Sequence, residues 1–595
     1  MSRTPVTAPI AILCALISAS VVCAQVSSVA RTTAPKLSLA TDGKSDYRIV
    51  VPVRATAHEL RAADELRSFI AQVTGAYLGI VTDDFPVMPR EIVVGRSRRL
   101  GQVGARMDAK RIGREGFTIQ TVGEHIVIAG GPERGTLYGV YAFLEDYLGC
   151  RWYTPRVSVI PRRPTVTLDP IHTTQTPAMV YRDLYYGEAH DRDFCPRVKI
   201  NSAISGALPG DTCVADVPGN GLCHTIFSLI APEEYFAEHP EYFAMRDGKR
   251  VPSEPCLSDP DVLRIVCESL KKLMDANPST RIWSVSQMDN GDPCQCPRCK
   301  AVDDRNGGPT GSMVTFVNKV ARRFADKIVS TLAYWYTMAP PKVVKPEKNV
   351  QIIYCWDAYP REPFGGYLEG WSRIAPQLYS WYYVIPCHNA MAPWPNIRLL
   401  QAHVRNLVSH RVTGMFVEGC GETGSEFAEL RVYLLAKLMW NPNIDAEAEI
   451  DGFLNAYYGA AGPSIRKYID AMHESLVSNN DALEGHEWSR HHAGTFFAPA
   501  MLARYDALFD EAERAVANDP ELLLRVERTR MTLMHAELQV GYGTVDQRLA
   551  MARRMLDIAR RANVGFFGDF GYRPREEYLP AVIADLERQK GANGR

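Results

Sequence analysis

Apolar residues recur at helical spacing through Ala57, Leu60, Ala63, Leu66, Phe69, Ile70 and Val73, which predicts an amphipathic helix. The stretches Glu91–Gly95, Gly116–Gln120 and His125–Ala129 are short and β-branched, so they predict strands. A second helix is predicted from Gly135 to Leu148, stopped by Gly149. Pro155–Pro170 is polar and Pro-rich and reads as a linker. Residues 35–170 thus predict a small α/β domain. From 178 to 445 the pattern becomes strand, loop, helix, repeated. Predicted strands are Met179–Leu184, Ile282–Met288, Thr331–Tyr336, Val350–Trp356, Gln377–Val384 and Gly414–Val417, with helices at Pro260–Ala276 and Ser312–Ser330. This alternation predicts a (β/α)8, TIM-like barrel, although residues 190–255 are irregular and eight strands do not count out. Residues 446–595 carry helical spacing throughout, in Ile450–Tyr458, Ile465–Val477, Ala498–Asn518 and Leu522–Val540. The expected fold class is therefore α/β: a small N-terminal domain, a central barrel and a helical C-terminal domain.

Composition narrows the partners more than the fold. A length of 595 residues is too much for one core. A net charge of -1 supplies no basic field, which argues against nucleic acid as a partner. Residues 1–24 read as a signal peptide: Arg3 leads an apolar stretch at 8–22, and Val22-Cys23-Ala24 suits cleavage. The mature chain then contains no run long enough to span a membrane, and the expectation is an exported protein, periplasmic or extracellular. Apart from Cys14 and Cys23, the 14 cysteines all lie between Cys150 and Cys420, where export permits disulfides. The 27 Tyr and 9 Trp supply candidate sugar-stacking faces, though aromatic rings equally serve core packing.

Chemistry concentrates at predicted strand ends. Asp289, Asp357 and Glu418 each close an apolar strand, the position where barrel enzymes hold their catalytic groups. Glu422 follows Glu418 in a Gly-rich loop, and Asp183 and Glu188 follow the first strand. Arg182, His224, Tyr334, Tyr336, Trp356, Trp381, Tyr383 and His388 occupy strand ends or the loops after them, the mixture of aromatic faces and oriented polar groups that sugar sites use. Arg182 and His224 are suited to a uronic-acid carboxylate. Cys256, Cys294, Cys296 and Cys299 allow two readings: a structural zinc site of four thiolates, or disulfides, whose pairing the sequence does not fix. No cofactor is expected in catalysis.

The run Glu133-Arg-Gly-Thr-Leu-Tyr138-Gly139 through Gly149-Cys-Arg151-Trp152 resembles the end of the N-terminal domain of α-glucuronidases and related glycoside hydrolases. The central segment resembles the bacterial domain of unknown function 4838 family. Its marks are Pro255-Cys256-Leu-Ser, Asp289-Asn290 before Cys-x-Cys-x-x-Cys, Tyr334-Trp-Tyr336-Thr with Pro340-Pro341, Trp440-Asn-Pro442 and Tyr457-Tyr458-Gly459. The resemblance covers roughly residues 40–480 and implies a glycoside-hydrolase-like protein that cleaves an oligo- or polysaccharide, at a uronic acid or an amino sugar, with two carboxyl groups. By analogy with the α-glucuronidases, Asp289 is the acid, while Asp357 and Glu418 position water. One departure counts against this: hexosaminidase-type relatives carry Asp-Glu where this chain has Asp289-Asn290, and a neutral amide is no acid. The alternative is a glycan-binding protein on a decayed hydrolase barrel. Oligomeric state is not written in the sequence.

Overall fold

A computed structural model of the chain describes residues 36–201, 221–278, 280–357, 366–386, 389–481, 483, 489–568 and 573–593. The expected signal peptide at 1–24 lies outside the described residues. In the N-terminal part, α1 (Ala57–Thr74) starts at a capping box between Thr56 and Glu59 and ends at Gly75, whose φ of 87° suits glycine. Strands β1 (Arg48–Val51), β2 (Ile80–Thr82), β3 (Glu91–Val94), β4 (Phe117–Val122), β5 (His125–Gly130) and β6 (His172–Gln175) form one sheet in the order β6-β4-β5-β3-β1-β2. Helix α2 (Gly135–Asp146) is buried along its whole length.

The predicted linker turns out to be folded. Val166–Leu168 pairs antiparallel with Leu37–Ala40, and β6 adds an antiparallel edge to β4. Its sequence, His-Thr-Thr-Gln, is polar because an edge strand is only half covered, and polar edges read as loop.

The central part runs β7 (Tyr181–Leu184), a hairpin of β8 (Phe243–Arg246) and β9 (Lys249–Pro255), helix α3 (Pro260–Ala276), then β10 (Ile282–Ser284), α4 (Pro297–Asn306) and α5 (Thr310–Arg323). Strands β11 (Ile328–Ala333), β12 (Val350–Asp357), β13 (Gln377–Tyr383) and β14 (Gly414–Glu418) follow, with α6 (Gly366–Ile374) before β13 and α7 (Leu400–Ser409) before β14. Among the described residues, β7-β14-β13-β12-β11-β10 form a parallel half-barrel sheet of six strands rather than a closed barrel of eight. Beyond β10 a short helical turn (Ile226–Leu229) abuts the chain, with Ile226 N–H bonded to the Ser286 carbonyl at 3.1 Å.

Successive strand residues face opposite ways, and this period decides what each strand presents. Tyr181, Ser284, Ser330, Gln351, Ile353, Tyr379, Trp381 and Phe416 line one interior cavity. Arg182, one residue on from Tyr181, therefore faces outward, towards the N-terminal part. It is fully buried there and pairs with Glu115 at 2.7 Å; its other nitrogens donate to the carbonyls of Met179 and Lys199. Its guanidinium also lies over the rings of Tyr138 and Trp440, at 5.7 and 5.4 Å. This placement corrects the expectation that Arg182 meets a substrate.

Helix α8 (Ala428–Trp440) is buried on every side except around Lys437, as its nearly continuous apolar sequence requires. Lys437 and Lys199 flank the buried Glu145 of α2. Burial pushes the Glu145 carboxyl up, but the two lysines outweigh it and hold the group at about 2. Helices α9 (Ala446–Tyr458), α10 (Gly462–Ser478), α11 (Pro499–Ala515), α12 (Pro520–Val540), α13 (Val545–Arg561) and α14 (Arg575–Asn593) complete the chain, close to the helices expected. No helix among the described residues is long and apolar enough to cross a membrane.

Removing Arg182 strands Glu115 in the domain junction. Breaking a buried pair in this way costs about 3–5 kcal/mol, so Arg182→Ala should melt well below the parent chain in a thermal scan. A change within error would remove the pair's structural role.

Candidate active site at the strand ends

The register of the parallel sheet brings three strand ends level: Asp357 pairs with Tyr383, and Tyr383 with Glu418. Glu418 is 4% exposed at the end of β14, following Phe416 on the cavity face. Gly419 comes next because Tyr186 is already there: a Cβ on Gly419 would stand 2.2 Å from that buried ring. The backbone of Asp357 ends β12, while its side chain and that of Trp356 are outside what the structure describes, as is the whole of His388.

Asp289 reaches the same edge from the loop after β10 and is exposed. Its Oδ1 accepts hydrogen bonds from Tyr334 Oη and Trp335 Nε1, both at 3.0 Å. The predicted strand to Tyr336 stops at Ala333 because Trp335 takes a left-handed backbone, φ 48°, and begins a short 3-10 turn. That conformation is costly for a bulky side chain and is typically retained where function uses it. It leaves the indole 54% exposed beside Asp289, as a sugar-stacking surface would be. His224 has a left-handed backbone too, φ 53°. Its Nδ1 lies 2.8 Å from the Gln287 carbonyl, and its ring 5.8 Å from that of Tyr334.

Cys223 links the two sides. Burial pushes its thiol up to about 12, and the charges of Glu418 and then Asp289 push the same way. Its sulfur packs with Tyr334, Trp381 and Tyr383 over Leu332, Ile353 and Cys355. Trp381 lies 4.2 Å from Phe416, ring centre to ring centre. Glu422 sits half-buried in the loop beyond Glu418. Asp183 is fully buried and accepts a 2.7 Å bond from Tyr181. Glu188 lines a different cavity of about 700 Å³ together with His190, Glu429 and Arg528, a cavity to which neither Asp289 nor Glu418 contributes.

Tyr336 and Asn290 serve a residue that sequence reasoning passed over. Glu254, at the end of β9, is 2% exposed. It accepts from Met288 N–H at 2.8 Å and hydrogen-bonds to the side chains of Tyr336 and Asn290. Asn290 also donates to the Ser253 carbonyl at 2.9 Å and accepts from Asp292 N–H. The Asn290 amide is therefore engaged in holding the Asp289 loop against the hairpin. Glu254 directly precedes Pro255-Cys256, and that adjacency was the available signal. Cys256, two residues past Glu254, gathers with Cys294, Cys296 and Cys299 against the same hairpin, all buried.

Burial pushes the Glu254 carboxyl from its ordinary 4.5 up to about 8. A raised carboxyl contributes stability that is complete below about 4.5 and lost as pH rises through about 8. The melting temperature of the parent chain should fall across that window, and Glu254→Gln, neutral throughout, should flatten the fall. Parallel pH profiles for the two chains would contradict the assignment.

The fold has solved relatives. A family GH115 4-O-methyl-α-glucuronidase with specificity for decorated arabinogalactans superposes with a TM-score of 0.57 at 12% identity, over 91% of this chain and 80% of that one. A family GH89 protein from Clostridium perfringens, solved with GlcNAc-α-1,4-galactose, gives 0.48 at 11% identity over 84% and 65% of the two chains. No curated relative matches the chain. Residues 36–143 match the N-terminus of glycosyl hydrolase family 67. Residues 152–470, more than half of the 595, match the family described as domain of unknown function (DUF4838), and the chain belongs to that family.

Proposed function

We propose that the strand-end cleft hydrolyses a glycosidic bond in a glycan containing a uronic acid or an amino sugar, and that the chain does so as an exported enzyme. The observation that carries this reading is the meeting of Asp289 and Glu418 at one strand-end edge, Asp289 held by Tyr334 and Trp335 and Glu418 level with Tyr383, beside an aromatic wall of Tyr334, Trp335, Trp381 and Tyr383. Glycoside hydrolysis needs two such carboxyl groups on either side of the scissile bond. The family 67 match at the N-terminus and the hydrolase fold of the structural relatives support the reaction class.

In this reading the roles differ from those first expected. Asp289 has Oδ1 oriented by two donors, which suits it to act as acceptor, either aligning a water or attacking the anomeric carbon. Glu418, the more buried of the two at the end of β14, is in this reading the group that hands a proton to the leaving oxygen. Asp357, two strands' spacing from Glu418 or about 10 Å between backbones, completes the carboxylate set. His224, Tyr383, Trp381 and Trp335 orient the sugar. No cofactor takes part.

Measuring sugar release from uronic-acid and hexosaminide glycans tests this. Glu418→Gln and Asp289→Asn should each lose about 10²–10⁴-fold in rate. With an aryl glycoside whose leaving group needs no proton, only Glu418→Gln should recover. Binding without cleavage on every glycan would favour the decayed, glycan-binding alternative. Cleavage untouched by either substitution would move the site elsewhere.

A further inference from the structure

The hairpin β8–β9 is a two-stranded ribbon that stands outside both sheets, and such a hairpin is marginal on its own in water. Phe243 anchors its start in the main core, while its other apolar residues Ala244, Met245 and Val251 pack with Cys256, Cys294, Cys296 and Cys299. The four sulfurs lie within 4.8 Å of one another. Cys256 Sγ is 3.6 Å from Cys296 Sγ and 3.9 Å from Cys299 Sγ. A tetrahedral ion with metal–sulfur bonds of about 2.3 Å sets its sulfurs about 3.8 Å apart, whereas a disulfide needs about 2.05 Å. Cys256, Cys294, Cys296 and Cys299 are not disulfide-bonded.

The surrounding groups also suit thiolates. Cys296 caps α4 and accepts from Cys299 N–H at 3.5 Å, and Cys294 accepts from Met245 N–H at 3.3 Å. Arg250 hydrogen-bonds to Cys256, and Arg298 stands close to the cluster on α4. Backbone N–H groups and cations of this kind orient metal-bound sulfur and offset its negative charge.

We propose that Cys256, Cys294, Cys296 and Cys299 bind one divalent transition-metal ion of the zinc class, and that this ion clasps hairpin β8–β9 to the loop carrying Asp289. The ion ties one end of that loop, through Cys294 and the bond from Gln295 N–H to the Met245 carbonyl at 2.8 Å. Glu254 ties the other, through Met288. The four ligands leave no open coordination position, so the ion is structural. The site stands whether or not the cleft hydrolyses glycans.

The test is metal analysis and intact mass of the full mature chain, isolated from the compartment where the cell delivers it and without added metal. One equivalent of zinc or iron, with the peptides spanning Cys256 and Cys294–Cys299 at their reduced mass, upholds the site. Stripping that ion with a thiol-reactive mercurial and a chelator should then lower the melting temperature, and Cys256→Ser should lose the ion. Because Cys256→Ser can fail to fold, the measurement on the parent chain decides. Four hydrogens missing from those peptides, or four alkylatable thiols without metal, overturns it.

Discussion

A parallel sheet delivers every strand to the same edge, and its period of two fixes which residues face the interior. The site depends on that constraint. Asp357, Tyr383 and Glu418 end level because β12, β13 and β14 share one register. A slip of one residue in β14 would turn Glu418 outward and bring Val417 into the cleft. The register is held by close packing: Gly414 begins β14 beneath the Tyr379 ring, where a Cβ would stand 2.7 Å away, and that ring stacks on Tyr181 at 5.7 Å. The same parity sends Arg182 away from the cleft, where it joins the N-terminal part to the sheet through Glu115. The packing that sets the sheet's register and the junction with the N-terminal part thus draw on adjacent residues of one strand, Tyr181 and Arg182.

The other half of the cleft is not built on a strand. Asp289 and Trp335 stand on loops, and loops need bracing if a site is to keep its geometry. Tyr334 and Trp335 hold the Asp289 carboxylate directly. Behind them Glu254 gathers Met288, Asn290 and Tyr336 into one buried polar group. Such a network is stable only when its members are satisfied, which accounts for an asparagine at 290: it both donates and accepts there, as an ionised acid does not. The cysteine cluster braces the same hairpin through Ala244, Met245 and Val251.

Much of this was legible in the sequence where periodicity is strong. The N-terminal helices and strands, the C-terminal helices and the strands leading to Asp357 and Glu418 all carry clean apolar patterns. Four kinds of feature escaped. The polar edge strand β6 reads as loop because only one side of it is covered. The hairpin that holds Glu254 falls in the irregular stretch because its short strands pack on sulfur rather than on alternating aliphatics. Arg182 was placed by nearness to a strand end, and nearness alone leaves the facing open; counting parity from Tyr181 decides it. Cys223 and Trp335 acquire meaning only once distant strands are set side by side.

The central claim is that Asp289 and Glu418 face each other across one bound glycosidic bond. A crystal structure of the Asp289→Asn chain with an uncleaved oligosaccharide tests it most directly. The account predicts the scissile oxygen within hydrogen-bond distance of the Glu418 carboxyl, with a sugar ring against Trp335. A glycan seated instead in the cavity lined by Glu188 and Arg528, or one whose glycosidic oxygen lies remote from Glu418, would contradict it.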